Sequence, residues 1–390
     1  MSASIRTRRT LATGLSAVLV TAGVAAVAPA HAATGPVTYS CTTTLGPTDL
    51  TVDIDSSLPT TKIYAGEPVP VTITSTGSLP GSFAKQIATA GFDRFSGTVE
   101  ANTAIDGTPA TASQSIPVTP LGDQSAPGGA VVPFTASGPF NYTAKTPGTS
   151  TFTTSGFTAN LVLHRPDGTT QPATATCTAP AGRPPVIDTV PVVAKSVTNL
   201  ALSRTTAGYG QAVTVTAKVT TTGGSPAGTV AFVVDGVKTE IKVDKDGVAQ
   251  LVLDDLTLGG HQVSATFVPS DKQLYEGSAD GPDTLRVVKA GTRTRLAISG
   301  KTTPKVTRAT AKVSGNFGTV PTGKVKFVLR KLGQQWQGFV KVRTRALVDG
   351  KASASFGKLG KGRYKLRAVY KGDANHTRSK AVKKFRERRP

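Results

Sequence analysis

Beyond the N-terminal segment, the chain is built from short runs of alternating apolar and polar residues. Leu50-Thr-Val-Asp-Ile54 and Val69-Pro-Val-Thr-Ile73 alternate strictly, and Leu161-Val-Leu163 precedes a Pro166-Asp-Gly168 turn. A period of two puts the apolar side chains on one face of a strand. Val230-Ala-Phe-Val-Val234 followed by Asp235-Gly236 predicts a hairpin. Val248-Ala-Gln-Leu-Val-Leu253 and Val263-Ser-Ala-Thr-Phe267 predict further strands. Turn residues recur roughly every eight to twelve positions, the spacing of a sandwich of about seven strands. No long apolar pattern of helical period follows the N-terminal segment. Thr and Val, branched at Cβ, suit a pleated surface, and Gly and Pro break it into turns. The expected class is all-β.

The C-terminal hundred residues repeat those before them. Pro226-Ala-Gly-Thr-Val-Ala-Phe-Val-Val234 aligns with Pro321-Thr-Gly-Lys-Val-Lys-Phe-Val-Leu329, Thr216-Ala-Lys-Val219 with Thr310-Ala-Lys-Val313, and Ala265-Thr-Phe267 with Ala368-Val-Tyr370. A repeat of this length is one folding unit used twice. The expected organisation is an export signal at 1–32, a β domain at 33–180, a Pro-rich linker at 181–191, a first repeat at 192–289 and a second at 290–390.

The export signal fixes the compartment. Arg6, Arg8 and Arg9 precede an uncharged apolar run, Leu11 to Ala28, and Ala30-His31-Ala32 supplies a cleavage pattern. The chain is therefore expected to be secreted, with Ala33 as the mature start; an uncleaved anchor is the competing reading. Arg8-Arg9-Thr10-Leu11 is similar to a twin-arginine signal, but ordinary secretion is the expected route. The mature chain shows no second membrane span, no lipobox before Cys41 and no sorting motif. Cys41 and Cys177 are the two cysteines. An even pair in an exported chain predicts one disulfide, closing the first domain almost end to end; two buried free thiols are the alternative.

Charge separates the modules. Residues 33–180 hold 5 basic and 9 acidic residues, net −4, and 181–289 hold 10 and 11, net −1. Residues 290–390 hold 27 Lys and Arg against Asp349, Asp373 and Glu387, net +24. Essentially the whole formal charge of +22 lies in the second repeat.

Both repeats resemble the bacterial immunoglobulin-like repeats of secreted proteins from high-GC Gram-positive bacteria. The resemblance rests on Pro321-x-Gly323-x-Val325-x-Phe327 and its twin Pro226-x-Gly228-x-Val230-x-Phe232, on Leu359-Gly-Lys-Gly362 before Tyr364, and on Tyr370-x-Gly372-Asp373 with Ser379. The first repeat departs from the last motif, with Phe267-Val-Pro-Ser270-Asp271, Tyr275 and Ser278 in its place. The first domain, marked by Thr38-Tyr-Ser-Cys41 and Thr176-Cys177, resembles an uncharacterised exported domain found ahead of such repeats. The resemblance implies tandem immunoglobulin-like β-sandwiches behind a β-sandwich-like domain closed by one disulfide. It implies modular extracellular scaffolds and adhesive surfaces with no shared active site.

Chemistry-bearing residues are sparse. His164, His261 and His376 fall in three different modules. Gly223-Gly-Ser225-Pro-Ala227 lacks the final Gly of a nucleophile elbow. No catalytic residue, metal set or cofactor loop is expected. Asp244-Lys-Asp246-Gly247 and Asp254-Asp255 read as turns rather than a calcium loop, which would end in a bidentate Glu. A distant alternative, a polysaccharide-acting enzyme, would rest on Asp53, Asp55 or Glu67 of the first domain.

The second repeat interleaves basic and apolar residues. Lys324, Lys326 and Arg330 alternate with Val325, Phe327 and Leu329; Arg363, Lys365 and Arg367 alternate with Tyr364, Leu366 and Ala368; Lys341, Arg343 and Arg345 form a third such set. Each set is expected outward and anion-binding; the first two, on neighbouring strands, are expected to form one positive face, extended by Lys383, Lys384 and the tail Arg386-Glu-Arg-Arg-Pro390. The first repeat serves as an internal comparison: Thr229, Ala231, Asp235, Gln262 and Ser264 occupy its matching positions. The expected partner is an anionic cell-wall polymer, a surface glycan or an acidic lipid headgroup. Extracellular DNA is a further option, not read by sequence, since Trp336 is the lone tryptophan for stacking. The expected function is that of a non-catalytic surface or secreted adhesive protein held at the envelope by charge; a freely secreted scaffold without a polyanion ligand is the alternative.

Overall fold

A computed structural model describes residues 33–182, 184–300, 306–333 and 339–387. The expected export signal (1–32), Trp336, Arg388 and Arg389 lie outside the described residues. The fold is all-β, as expected. Ten strands and one helix come first: β1 (Val37–Thr43), β2 (Gly46–Ser56), β3 (Ile63–Tyr64), β4 (Pro68–Leu79), α1 (Gly81–Thr89), β5 (Arg94–Ile105), β6 (Thr108–Pro120), β7 (Val132–Thr143), β8 (Gly148–His164), β9 (Thr170–Thr178) and β10 (Val186–Val193). They form a sheet of order β3-β10-β8-β5-β6-β7-β4-β2-β1-β9, and β8 also pairs with β9, so the sheet returns on itself. Each long strand sends alternate residues into the enclosed space: Leu50, Val52 and Ile54 from β2, Phe157 and Ala159 from β8. Helix α1 buries Phe83, Ala84 and Ile87. Cys41 and Cys177 face each other across the β1–β9 pair and form the expected disulfide.

The expected linker needs correction. Val186–Val193 is a strand, with Ile187, Val190 and Val192 fully buried. Pro184 and Pro185 precede the strand, and Pro191 lies within it between the buried Val190 and Val192. The chain divides into two compact units: residues up to Thr61 with Ile73–Gly138 and Thr151–Val190, and Lys62–Thr72 with Pro139–Ser150 and everything from Pro191 on. The second unit thus takes in two segments that the sequence assigns to the first domain, together with both repeats.

The first repeat contains β11 (Ser196–Leu202), β12 (Thr206–Gly208), β13 (Val213–Thr221), β14 (Gly228–Val234), β15 (Val237–Lys242), β16 (Val248–Leu253), β17 (Gly259–Pro269) and β18 (Ser278–Val288). The second contains β19 (Thr292–Ser299), β20 (Arg308–Gly315), β21 (Lys324–Leu332), β22 (Val340–Ala346), β23 (Lys351–Ser355), β24 (Gly362–Tyr370) and β25 (Ser379–Glu387). Sheet β11-β13-β16 corresponds to β19-β20-β23, and β15-β14-β17-β18 to β22-β21-β24-β25. The aligned motifs also share register. Phe232 faces Ala265 and Val230 faces Phe267 in one repeat; Phe327 faces Ala368 and Val325 faces Tyr370 in the other. Each repeat closes over its own apolar cluster, centred on Phe232 and Phe267 or on Phe327 and Tyr370.

The entry of each repeat is stapled alike. The Ala194 N–H donates to the Leu274 carbonyl and the Glu276 N–H to the Ala194 carbonyl; Ala290 makes the same two bonds with Asn375 and Thr377. The repeats touch through Phe317, held at φ 56°, whose ring would lie 2.6 Å from any Cβ added at Gly208. Tyr209 packs edge-on against the His376 ring.

Closing a loop of 136 residues with a disulfide is worth about 5 kcal/mol in the chain-entropy limit. Reduction is therefore expected to lower the melting transition of the first unit by well over 10 °C and to leave that of the repeats in place. Calorimetry with and without reductant measures both.

Candidate anion-binding site

Strand β21 lies between β22 and β24, and β24 between β21 and β25. Val325, Phe327, Leu329, Tyr364, Leu366 and Ala368 are buried in the sandwich. The pleat therefore turns Lys324, Lys326 and Arg330, and Arg363, Lys365 and Arg367, to the outside, where all six are exposed. Register brings them together. Arg330 faces Lys365, which faces Lys384; Arg363 faces Arg386; Arg367 lies between Val328 and Val382; Lys326 and Lys380 flank Val369. With strands about 4.8 Å apart, the row Arg330–Lys365–Lys384 spans roughly 10 Å. Lys380, Lys384 and Arg386 extend the face, whereas Lys383 pairs with inward-pointing Leu366 and lies on the other side.

Lys341, Arg343 and Arg345 do not belong to this face. They stand opposite Leu329, Phe327 and Val325, on the core side of β22, while Val340, Val342 and Thr344 face outward beside Arg330, Val328 and Lys326. The first repeat has Val237, Thr239 and Ile241 at the equivalent positions. β22 is an edge strand, so inward-pointing cations can bend round into solvent and deter pairing with another edge. The Lys341 ammonium donates to the Phe356 carbonyl (2.9 Å), and Arg343 and Arg345 donate to neighbouring backbone carbonyls. Alternation along β22 reveals two faces but not which one is inward; only the register with β21 settles it.

No acid neutralises the outward face. Asp349 lies in the β22–β23 turn, and Glu387 is fully buried on the core side of β25, its pKa raised by that burial. Asp373 is turned inward. Burial works to raise its pKa, but hydrogen bonds from the Thr322 N–H, His376 and the Asn375 N–H hold it well below the usual carboxylate range. The opposite sheet is basic too: Arg295, Lys312 and Lys351 form a row across β19, β20 and β23, flanked by Arg293 and Arg308. The cations thus occupy both outer surfaces of the sandwich, more densely on the β21–β24–β25 side.

In the first repeat the matching sheet carries Thr229, Gln262 and Ser264, with Ala231 nearly buried and Lys238 paired with Glu240 at 2.6 Å. Asp235 sits in the β14–β15 turn, not on the sheet, and binds His261. His261 is buried, with Nδ1 2.6 Å from the Asp235 carboxylate and Nε2 2.9 Å from the Thr257 carbonyl. Both partners only accept, so the geometry favours the ring with both nitrogens protonated. Burial opposes that charge, but the bonds to Asp235 and Thr257 outweigh it and raise the His261 pKa.

The remaining chemical groups have structural partners. His376, itself buried, bridges Asp373 and the Thr319 hydroxyl (2.9 Å), both of which are half-buried. His164 meets Ser96. Asp53 accepts from the Thr34 hydroxyl, Asp55 from the Ser56 N–H, and Glu67 pairs with Lys195. The Asp244 carboxylate accepts from the Asp246 and Val248 N–H groups, the pattern of a turn. Among the described residues no cluster of three His, Cys, Asp or Glu is placed to hold a metal, and no helix is long and apolar enough to cross a membrane.

Residues 200–288 match the bacterial Ig-like domain (group 3). Residues 38–188 match a family of unknown function (DUF6801). The match to the Ig-like domain falls on the first repeat, the one that departs from the last of the quoted motifs. No curated protein matches the chain. Among solved structures, similarity extends to a Corynebacterium diphtheriae protein described as membrane anchored (15% identity, covering 90% of this chain and 94% of that one, TM-score 0.29). It also extends to a 1.5-MDa bacterial ice-binding adhesin (12% identity, 87% and 97%, TM-score 0.25) and to the fibronectin(III)-like modules of Clostridium thermocellum CbhA (18% identity, 60% and 92%, TM-score 0.20). Scores this low carry no weight for architecture or function.

The His261–Asp235 pair sets a pH window. The raised His261 pKa contributes stability that is complete below the unfolded value of about 6.5 and is lost as pH rises through the folded value. The lowered Asp235 pKa contributes stability that is present above the unfolded carboxylate value and is lost as pH falls through the folded one. The first repeat is expected to be most stable between about pH 4 and 6.5. His261→Gln should lower its stability by about 1–2 kcal/mol within that window and flatten the decline above it. Urea melts of the first repeat's transition against pH measure both.

Proposed function

We propose that this is a non-catalytic secreted protein whose second repeat holds it on an anionic envelope polymer, a wall polymer or surface glycan, through the outward face of β21, β24 and β25. One observation carries the reading: nine exposed cations, Lys324, Lys326, Arg330, Arg363, Lys365, Arg367, Lys380, Lys384 and Arg386, share that face with no acidic side chain among the described residues. Like charges at this density repel one another unless an anion offsets them. The same sandwich in the first repeat needs no such surface to fold. The export signal and the Cys41–Cys177 disulfide support an oxidising, extracytoplasmic location. A polymer with repeated negative charges fits better than a small anion, because each neutralised charge releases a counter-ion and adds to affinity.

Binding of the mature chain to purified cell-wall sacculi is expected to fall at least tenfold between low and physiological salt. Reversing Lys326, Arg330, Lys365, Arg367 and Lys384 to Glu should abolish it. Reversing Arg293, Arg295, Arg308, Lys312 and Lys351 on the opposite sheet changes net charge equally and should weaken it much less. Equal losses from the two sets would leave net charge, not this face, as the cause.

A further inference from the structure

The core of the first unit differs from those of the repeats. In the second repeat Val325, Phe327 and Leu329 are each 0% exposed. Inside the first unit Phe83, Val99, Ile116 and Phe157 keep 5–9% of their surface, because they line a cavity rather than a closed core. About 600 Å³ there is unoccupied by atoms, part of it open to solvent, and most of that space is too narrow to seat a water molecule. The space is therefore slender. Its lining is apolar except for threonines, of which Thr44 and Thr174 are exposed beside Leu45, placing the mouth at the β1–β2 turn. Protein interiors are otherwise packed like organic crystals, and unfilled apolar space is destabilising.

A second observation comes from buried polar groups beside the cavity. Gln114 is 2% exposed, and neither its amide nitrogen nor its amide oxygen has a hydrogen-bond partner among the described residues. It faces Val99 across β5–β6 and shares a strand face with Ile116. The Tyr39 hydroxyl is equally buried and unpartnered; Tyr39 faces Leu50, and its ring packs edge-on against Phe157 at 5.2 Å. Burial, with a contribution from Asp53, pushes its pKa up to about 12, so it stays a neutral donor. Buried polar groups are normally satisfied. A slender apolar space flanked by two unsatisfied polar groups matches a guest with one long hydrocarbon chain and a hydrogen-bonding end.

We propose that the first unit is a binding site for a single acyl or alkyl chain, housed between α1 and the enclosing strands and entered at the β1–β2 turn. A ring system is too broad for the slender space, and water lacks polar partners along most of it. The site is independent of the cationic face, and its ligand need carry no charge.

The test uses the mature full-length chain and uncharged primary alcohols from hexanol to tetradecanol at high salt, which silences the basic module. Displacement of a fluorescent chain probe is expected to show saturable binding that tightens roughly threefold to fourfold per added methylene and then levels off once the cavity is filled. Val99→Phe and Ala175→Leu, which fill the space, are expected to weaken binding at least tenfold with an unchanged or higher melting temperature. Saturable binding absent across the series overturns the proposal, as does undiminished binding by a folded filling variant. If both variants fail to fold, the wild-type length series decides alone: affinity that keeps rising without a plateau is surface adsorption and overturns it too.

Discussion

The constraint on which the rest depends is the two-residue period of a strand with one face in a core. Once Val325, Phe327 and Leu329 are committed to the interior of the second repeat, Lys324, Lys326 and Arg330 have nowhere to go but outward. The same commitment on β24 and β25 stacks their cations beside those of β21 at strand spacing. A charged surface of this density is a by-product of core packing combined with a biased choice at positions the core leaves free. The first repeat shows that the fold leaves that choice open, since its equivalent positions carry Thr229, Gln262 and a paired Lys238 and Glu240.

The two repeats share a core and a pair of entry staples but protect their edges differently. In the first, the edge strand β15 turns Val237, Thr239 and Ile241 to the core side. In the second, β22 turns Lys341, Arg343 and Arg345 that way and leaves Val340 and Val342 outside. The face of the second repeat is therefore basic across β21, β24 and β25 and apolar along β22. Two of its three acids are turned inward: Asp373 gathers hydrogen bonds from Thr322 before β21 and from Asn375 in its own loop, and Glu387 is buried.

The first unit is held by other means. Its sheet returns on itself through β8 and β9, and the disulfide crosses the neighbouring β1–β9 pair, so few edges remain open. A closed sheet capped by a helix encloses more space than its side chains fill, whereas two sheets of a sandwich can approach until their side chains interlock. That geometric difference accounts for the cavity in this unit.

Much was legible in the sequence because it depends on local order. Alternation marked strands, the aligned Pro-x-Gly-x-Val-x-Phe segments marked a repeated sandwich down to its register, and the two cysteines marked their bridge. The cationic face was legible on β21 and β24, where buried aromatic and aliphatic residues name the inward side. It was misread on β22, where Val340 and Val342 look like core but face solvent, because an edge strand's inward side is set by its partner's register. It was misread again at Val186–Val193, where prolines before and within the run masked a strand. The cavity, the hydrogen bonding of His261 and the burial of Glu387 were decided by tertiary structure alone. Each depends on residues far apart in the chain meeting at a distance that no local pattern encodes.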